Sequence, residues 1–231
     1  MGRKSLVRSK AQPKRTLRIV DKKPNGVGGS SGNVESPAMR LVLTAARLFN
    51  ESGIHSTGIE RIIAEAGVAR RTLYNQFGSK EGLIRAVMQR ESNAWFEWLD
   101  SELTPSDVRD PRQRIIRFFA LLGKWFSRSD FKGCSFINAV GEHPLDNCVR
   151  PIAKAHRQAN FEYIRGLLHG SKISNLDKVA DQIAILADGA TVTAMVTGNH
   201  TTAETAAHAA LAVMDVAERR VRVAQSIQLG A

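Results

Sequence analysis

Cysteine is scarce: Cys134 and Cys148 are the only two in the chain, and neither sits in a CxxC pair or a regular Cys/His cluster. That pattern argues against a disulfide framework and a structural zinc site. No run of signal-peptide or membrane-spanning apolar length stands out, so the expectation is a protein of the reducing cytoplasm with no membrane partner. His156 and His169 are too far apart along one helix to share a metal. The glycine-rich run GVGGSSG is followed by no GK[ST] and preceded by no strand, so it is not a phosphate loop. No histidine, cysteine or acid falls in a nucleophile, metal or phosphate motif. No catalytic residue, metal ligand or cofactor is therefore assigned, and an enzyme is not expected. Aromatics make up only 6% of the residues, which makes their concentration between residues 95 and 136 conspicuous.

What the chain has in excess is positive charge. It carries a net +11 over 231 residues, with a sequence pI near 10.2. Residues 1–35 hold nine Lys or Arg against Asp21 and Glu35, most of the surplus. They lack a sustained amphipathic period and end in GVGGSSG, so they read as a disordered basic arm on a flexible tether. Such an arm either reaches into a minor groove beside a main contact or is merely a solvated tail.

The stretch Thr57–Lys80, TGIERIIAEAGVARRTLYNQFGSK, reads as two short helices around a tight turn. Thr57 and Glu60 have capping-box spacing, Ile59, Ile62, Ile63 and Ala66 form one apolar face, and Gly67 supplies a left-handed stop. A second helix begins near Ala69 with Leu73 and Phe77 inward and Gly78 at its end. Its other face is Arg70, Arg71, Thr72, Tyr74, Asn75 and Gln76, which contains no acid. Arg forks suit guanine, Asn and Gln amides suit adenine, and hydroxyls suit phosphate. Ser36–Pro37 starts a supporting helix with Leu41, Ala45, Leu48 and Phe49 inward, and Ser79 caps a fourth helix running through Trp95 and Trp98. Lys80, in its first turn, is placed to hold a phosphate together with the free backbone N–H groups.

The run AARLFNESGIHSTGIERIIAEAGVARRTLYNQFGSKEGLIRAV, within Leu41–Val87, resembles the DNA-binding domain of the TetR (TetR/AcrR) family of bacterial transcriptional regulators. The part AGVARRTLYNQFGSKEGL is highly specific. One position departs from the family pattern: Ala69 stands where Ser or Thr is usual, which removes an N-cap oxygen. The resemblance implies DNA contacts from Thr57, Arg70, Arg71, Thr72, Tyr74, Asn75, Gln76 and Lys80.

Beyond the head, Asp110, Pro111 and Gln113 start a helix bearing Ile115, Ile116, Phe118, Phe119, Leu122, Trp125 and Phe126, which is either plain core or the wall of an apolar pocket. FKGCSFINAVGEHP resembles a segment of the ligand-binding half of one TetR subgroup. Asn138 and Glu142, four apart, either anchor a ligand or bond to each other or to a nearby loop. Cys134 is either a sensing thiol lowered by Lys132 or a small buried residue. The candidate pocket residues are Trp95, Phe118, Leu122, Trp125, Cys134, Asn138, Phe161 and Asp188. A helix from Pro151 to Gly170 follows, then one over residues 175–198 and one over 201–223. The last two are rich in small residues, and the resemblance implies that they form a four-helix bundle with the same pair of a second subunit. Asp188 is then an interface acid or a pocket acid.

The expected fold is all-α with about nine helices. A disordered arm (1–35) precedes a three-helix helix-turn-helix DNA-binding domain (36–84), a helical ligand-binding and dimerisation domain (85–225) and a disordered tail (226–231). The function expected is a sequence-specific transcriptional regulator, a ligand-responsive repressor that binds a palindromic double-stranded operator as a homodimer in the bacterial cytoplasm, at the nucleoid. Its effector is an unidentified small molecule. The rivals are a non-specific nucleoid-type DNA-binding protein and, more remotely, a small-molecule enzyme.

Overall fold

Helix starts in this chain follow its capping chemistry closely. In a computed structural model, which describes residues 35–103, 108–142 and 148–229, Ser36 accepts a hydrogen bond from the Met39 N–H and opens α1 (Pro37–Ser52). Ser79 does the same for α4 (Lys80–Glu102) through the Gly82 N–H, Asp110 for α5 (Pro111–Phe126) through Arg112, and Asn175 for α8 (Leu176–Thr197) through Lys178. Each oxygen satisfies one of the backbone donors that a helix start leaves without an internal partner. The remaining helices are α2 (Ile59–Ala66), α3 (Arg70–Phe77), α6 (Ser135–Glu142), α7 (Val149–Leu167) and α9 (Thr202–Leu229). Nine helices and no strand occur among the described residues, so the fold is all-α. The basic arm, apart from Glu35, lies outside the described residues.

One start and one end depart most clearly from the sequence reading. Thr57 does not cap α2; Gly58 holds that position without a side-chain bond. The Thr57 hydroxyl instead donates to the Gly53 carbonyl (2.6 Å) and the Leu48 carbonyl (3.3 Å), closing the end of α1 rather than opening α2. The Glu204 backbone N–H donates to the Thr201 carbonyl, and α9 starts at Thr202, in line with the expected start at residue 201. It then continues to Leu229, past Val223 and into residues expected as a tail, because no glycine or proline interrupts RRVRVAQSIQ.

The head core consists of Leu41, Ala45, Leu48, Ile62, Ile63, Leu73, Leu83 and Val87, from α1 to the first half of α4. A second core gathers Leu99, Ile115, Phe118, Phe119, Ile164, Ile183 and Ala210 from α4, α5, α7, α8 and α9. Between them lies a smaller cluster of Ile54, Ile84, Met88, Phe136, Ala139 and Val149, which joins the α1–α2 loop to α6 and α7. α4 contributes to all three.

α8 corrects one sequence expectation. It is long and apolar enough by length and composition to cross a membrane, with a mean hydropathy of 1.3. Its Val179, Ala180, Ile183, Ala184, Ala187 and Ala190 are nevertheless buried in the second core, and Asp188 on the same helix pairs with Arg157. It is a core helix of the folded chain.

Candidate nucleic-acid interface and ligand cavity

α3 is two turns long and anchors itself by one fully buried side chain, Leu73. Opposite Leu73 the polar face is open: Arg70, Arg71, Tyr74, Asn75 and Gln76 are exposed and Thr72 is half-buried. The Arg70 guanidinium lies 5.6 Å from the Tyr74 ring centroid and 2.7 Å from the Glu60 carboxylate of α2. The Tyr74 contact and the Glu60 charge both hold its pKa above the usual value. The face is therefore free of acid along α3 itself, while folding brings Glu60 against its first residue. Ala69 precedes α3 in extended backbone with no side-chain cap.

Two predicted contacts are placed differently. Thr57 is fully buried with its hydroxyl committed to α1, so its side chain presents nothing to a phosphate. Lys80 is half-buried and its ammonium donates to the Ile54 carbonyl at 3.0 Å, which pins the α1–α2 loop to the start of α4. The same loop is held from the other side, where the Glu142 carboxylate accepts from the His55 N–H at 3.0 Å. Lys132 adds a bond to the Asn50 carbonyl at 3.2 Å.

A cavity of about 250 Å³ opens between α4, α5, α6, α7 and α8. Of the predicted pocket residues, Trp95, Phe118, Leu122, Trp125, Cys134 and Asp188 line it. Asn138 and Phe161 do not. The Asn138 amide donates to the Lys132 carbonyl at 2.9 Å and closes the loop before α6. Phe161 packs on the second core, since it sits about 100° around α7 from the cavity-facing Asn160.

Sequence reasoning missed a polar chain in the wall. The Trp95 indole N–H donates to Asn160 Oδ1 (2.9 Å), Asn160 Nδ2 meets His156 Nε2 (2.9 Å), and His156 Nδ1 meets Ser92 Oγ (2.9 Å). An indole only donates, so the Asn160 oxygen must face Trp95 and its amide nitrogen must face the histidine. His156 Nε2 is then the acceptor and Nδ1 carries the proton. The ring stacks on Phe136 at 3.7 Å, and burial lowers its pKa to about 4. His156 and Asn160 are four apart on α7, the only signal the sequence offered.

Charge at the cavity is mixed. Burial pushes the Asp188 carboxyl up, Arg157 at 2.8 Å pulls it down, and the nearby Asp181 pushes it up again. Cys134 lies in the wall with its thiol pushed up by burial, the opposite of what a reactive thiolate needs.

Residues 41–87 match the model of the family described as bacterial regulatory proteins, tetR family. The transcriptional activator FasR of Mycolicibacterium smegmatis is 36% identical over 98 residues, 41% of this chain and 43% of that protein. The transcriptional repressor ComR of Escherichia coli is 28% identical over 95 residues, 41% of this chain and 45% of that protein. The chain thus spans less than half the length of the curated relatives it matches. Among solved structures, SCO4454, a TetR-family transcriptional regulator from Streptomyces coelicolor, superposes over 80% of this chain and 97% of its own, with a TM-score of 0.68 and 28% identity.

Proposed function

The chain belongs to the TetR family of bacterial regulatory proteins, and from that premise we propose that it is a sequence-specific, DNA-binding transcriptional regulator, a ligand-responsive repressor acting as a homodimer. The observation that carries the reading is the exposed face of α3, where Arg70, Arg71, Tyr74, Asn75 and Gln76 surround a helix too short to serve as core. Its width and donor set suit a major groove. Two turns bury too little surface for high specificity, so a second copy is needed to read the other half of a palindrome, about 34 Å away or a multiple of that. α8 and α9 support such pairing. They leave Ile185, Val192, Met195, Val196 and Val216 exposed, with Val196 at 74%, which is a face for another apolar surface.

Ligand response follows from the continuity of two elements. α4 packs Leu83 and Val87 in the head core and lines the cavity with Glu91, Trp95 and Trp98. α6 lines the cavity with Ser135, Phe136 and Ile137 and, seven residues beyond its start, holds the α1–α2 loop through Glu142. A ligand that moves either helix re-aims α3, and DNA and ligand then couple reciprocally, typically by about 1–3 kcal/mol.

Selection of genomic fragments by the full chain tests this, followed by affinities against a random duplex at fixed salt. A palindrome bound about a thousandfold more tightly than random DNA is expected. Binding without enrichment would instead favour the nucleoid-type reading.

A further inference from the structure

The chain has three tryptophans, and Trp95, Trp98 and Trp125 all line one cavity. Trp95 lies 5.4 Å from Trp98 and 5.0 Å from Trp125, with planes tilted by 47° and 56°. Tilted rings form a corner that offers more than one indole face, where a parallel stack would hide them. Indole faces carry negative electrostatic potential and attract cations more strongly than any other side-chain ring.

The polar atoms of the same wall point the same way. The Trp95 N–H is spent on Asn160, the Asn160 amide on His156 and the Thr191 hydroxyl on the Ala187 carbonyl. The Arg128 fork is spent on Asp130 through two bonds of 2.8 Å. What remains charged toward the cavity is Glu91 and Asp188. Glu91 pairs with Arg90 at 3.3 Å, whereas Asp188 shares Arg157 (2.8 Å) with Asp181 (3.3 Å), so one guanidinium serves two carboxylates. Among the residues that line the cavity, Arg128 alone stands against Glu91 and Asp188, a net negative wall.

Building on the ligand-responsive reading above, we propose that the cavity takes a small organic cation, an aromatic or alkyl ammonium, with its charge over the Trp95–Trp98–Trp125 corner and toward Asp188. The Asp188 carboxylate then gains a counter-ion for which it now competes with Asp181, and the indoles supply cation–π attraction.

Because all three tryptophans line the cavity, intrinsic fluorescence of the full chain reports on it directly. The probes are benzyltrimethylammonium, its neutral carbon isostere 2,2-dimethylpropylbenzene, and phenylacetate. The ammonium is expected to change the emission and to bind about tenfold or more tightly than phenylacetate. Asp188→Asn, at a partly exposed position that leaves the core intact, should shrink that preference, as should Trp98→Leu. Phenylacetate binding equally or more tightly would overturn the cation while leaving a ligand cavity in place. No emission change with any of the three would overturn both the cation and the ligand-responsive reading beneath it.

Discussion

Glu142, the last residue of α6, accepts the backbone N–H of His55 at 3.0 Å across a gap of 87 residues, and so ties the wall of the cavity to the loop between the first two helices of the head. The loop can receive that carboxylate because residue 53 is glycine. Gly53 has φ +82°, and a Cβ there would lie 2.9 Å from Glu142 Oε2.

Glu142→Ala should therefore cost about 1 kcal/mol and release the amide protection of residues 53–56. Gly53→Ala should cost more, since it adds left-handed strain to the collision. In the Glu142→Ala background the collision disappears and only the strain remains, so the two effects should be non-additive in urea denaturation. Strict additivity would mean that the carboxylate does not sit in the loop.

Gly82 fixes the junction between α3 and α4. A Cβ at that position would lie 1.9 Å from the Phe77 carbonyl oxygen, and a backbone atom cannot swing aside as a side chain can. Gly82→Ala must then push α3 away from α4, at a cost of about 1–3 kcal/mol or more. Because α3 is re-aimed, affinity for a selected DNA site should fall further than thermal stability does. Unchanged DNA affinity would show that the junction does not set the aim of α3.

These two contacts mark the limit of what the sequence made legible. Helix starts at Ser36, Ser79 and Asp110 were readable because a cap and its helix are neighbours in sequence. Thr57 misled for the same reason: T-x-x-E spacing shows that a hydroxyl is available, but not that the end of α1 lies closer than the start of α2. Six cavity residues were readable, as aromatic or aliphatic positions on the apolar faces of helices or as polar positions among them. Phe161 was not, since choosing between it and Asn160 requires knowing which side of α7 meets α4. The Trp95–Asn160–His156–Ser92 chain joins residues 64 and 65 apart, and no local pattern announces such a pairing.

Ala69 gives a test in the stabilising direction. Its backbone, at φ −71° and ψ 142°, matches that of Ser36 at φ −60° and ψ 149°, where a serine does cap a helix. Ala69→Ser should supply the missing oxygen to the first turn of α3 and raise stability by about 1 kcal/mol, read from urea denaturation at fixed protein concentration. The same hydroxyl lies beside the exposed face of α3, so affinity for DNA should rise rather than fall. A serine that leaves stability unchanged would mean the first turn of α3 is already satisfied by water.

Burial of His156 makes the stability of the fold depend on pH. It holds the imidazole neutral in the folded chain down to about pH 4, while the unfolded chain takes up its proton near the ordinary value of 6.5. Between those values the unfolded state binds the extra proton, so stability is complete above about pH 6.5 and drains away as the pH falls toward 4. The gap corresponds to at most about 3 kcal/mol. Protonation would also break the wall: a proton on Nε2 faces the Asn160 amide, and turning Asn160 over to accept it would leave the Trp95 N–H facing another donor. His156→Gln keeps a polar group at the site and removes the titration, and the carboxylates of the chain are common to both proteins. The difference between their urea midpoints should therefore change between pH 7.5 and pH 4.5, with the wild type losing more. Parallel losses would mean that His156 reaches water readily enough to titrate as it does unfolded, and that the polar chain holding Trp95 in the cavity wall is not maintained in solution.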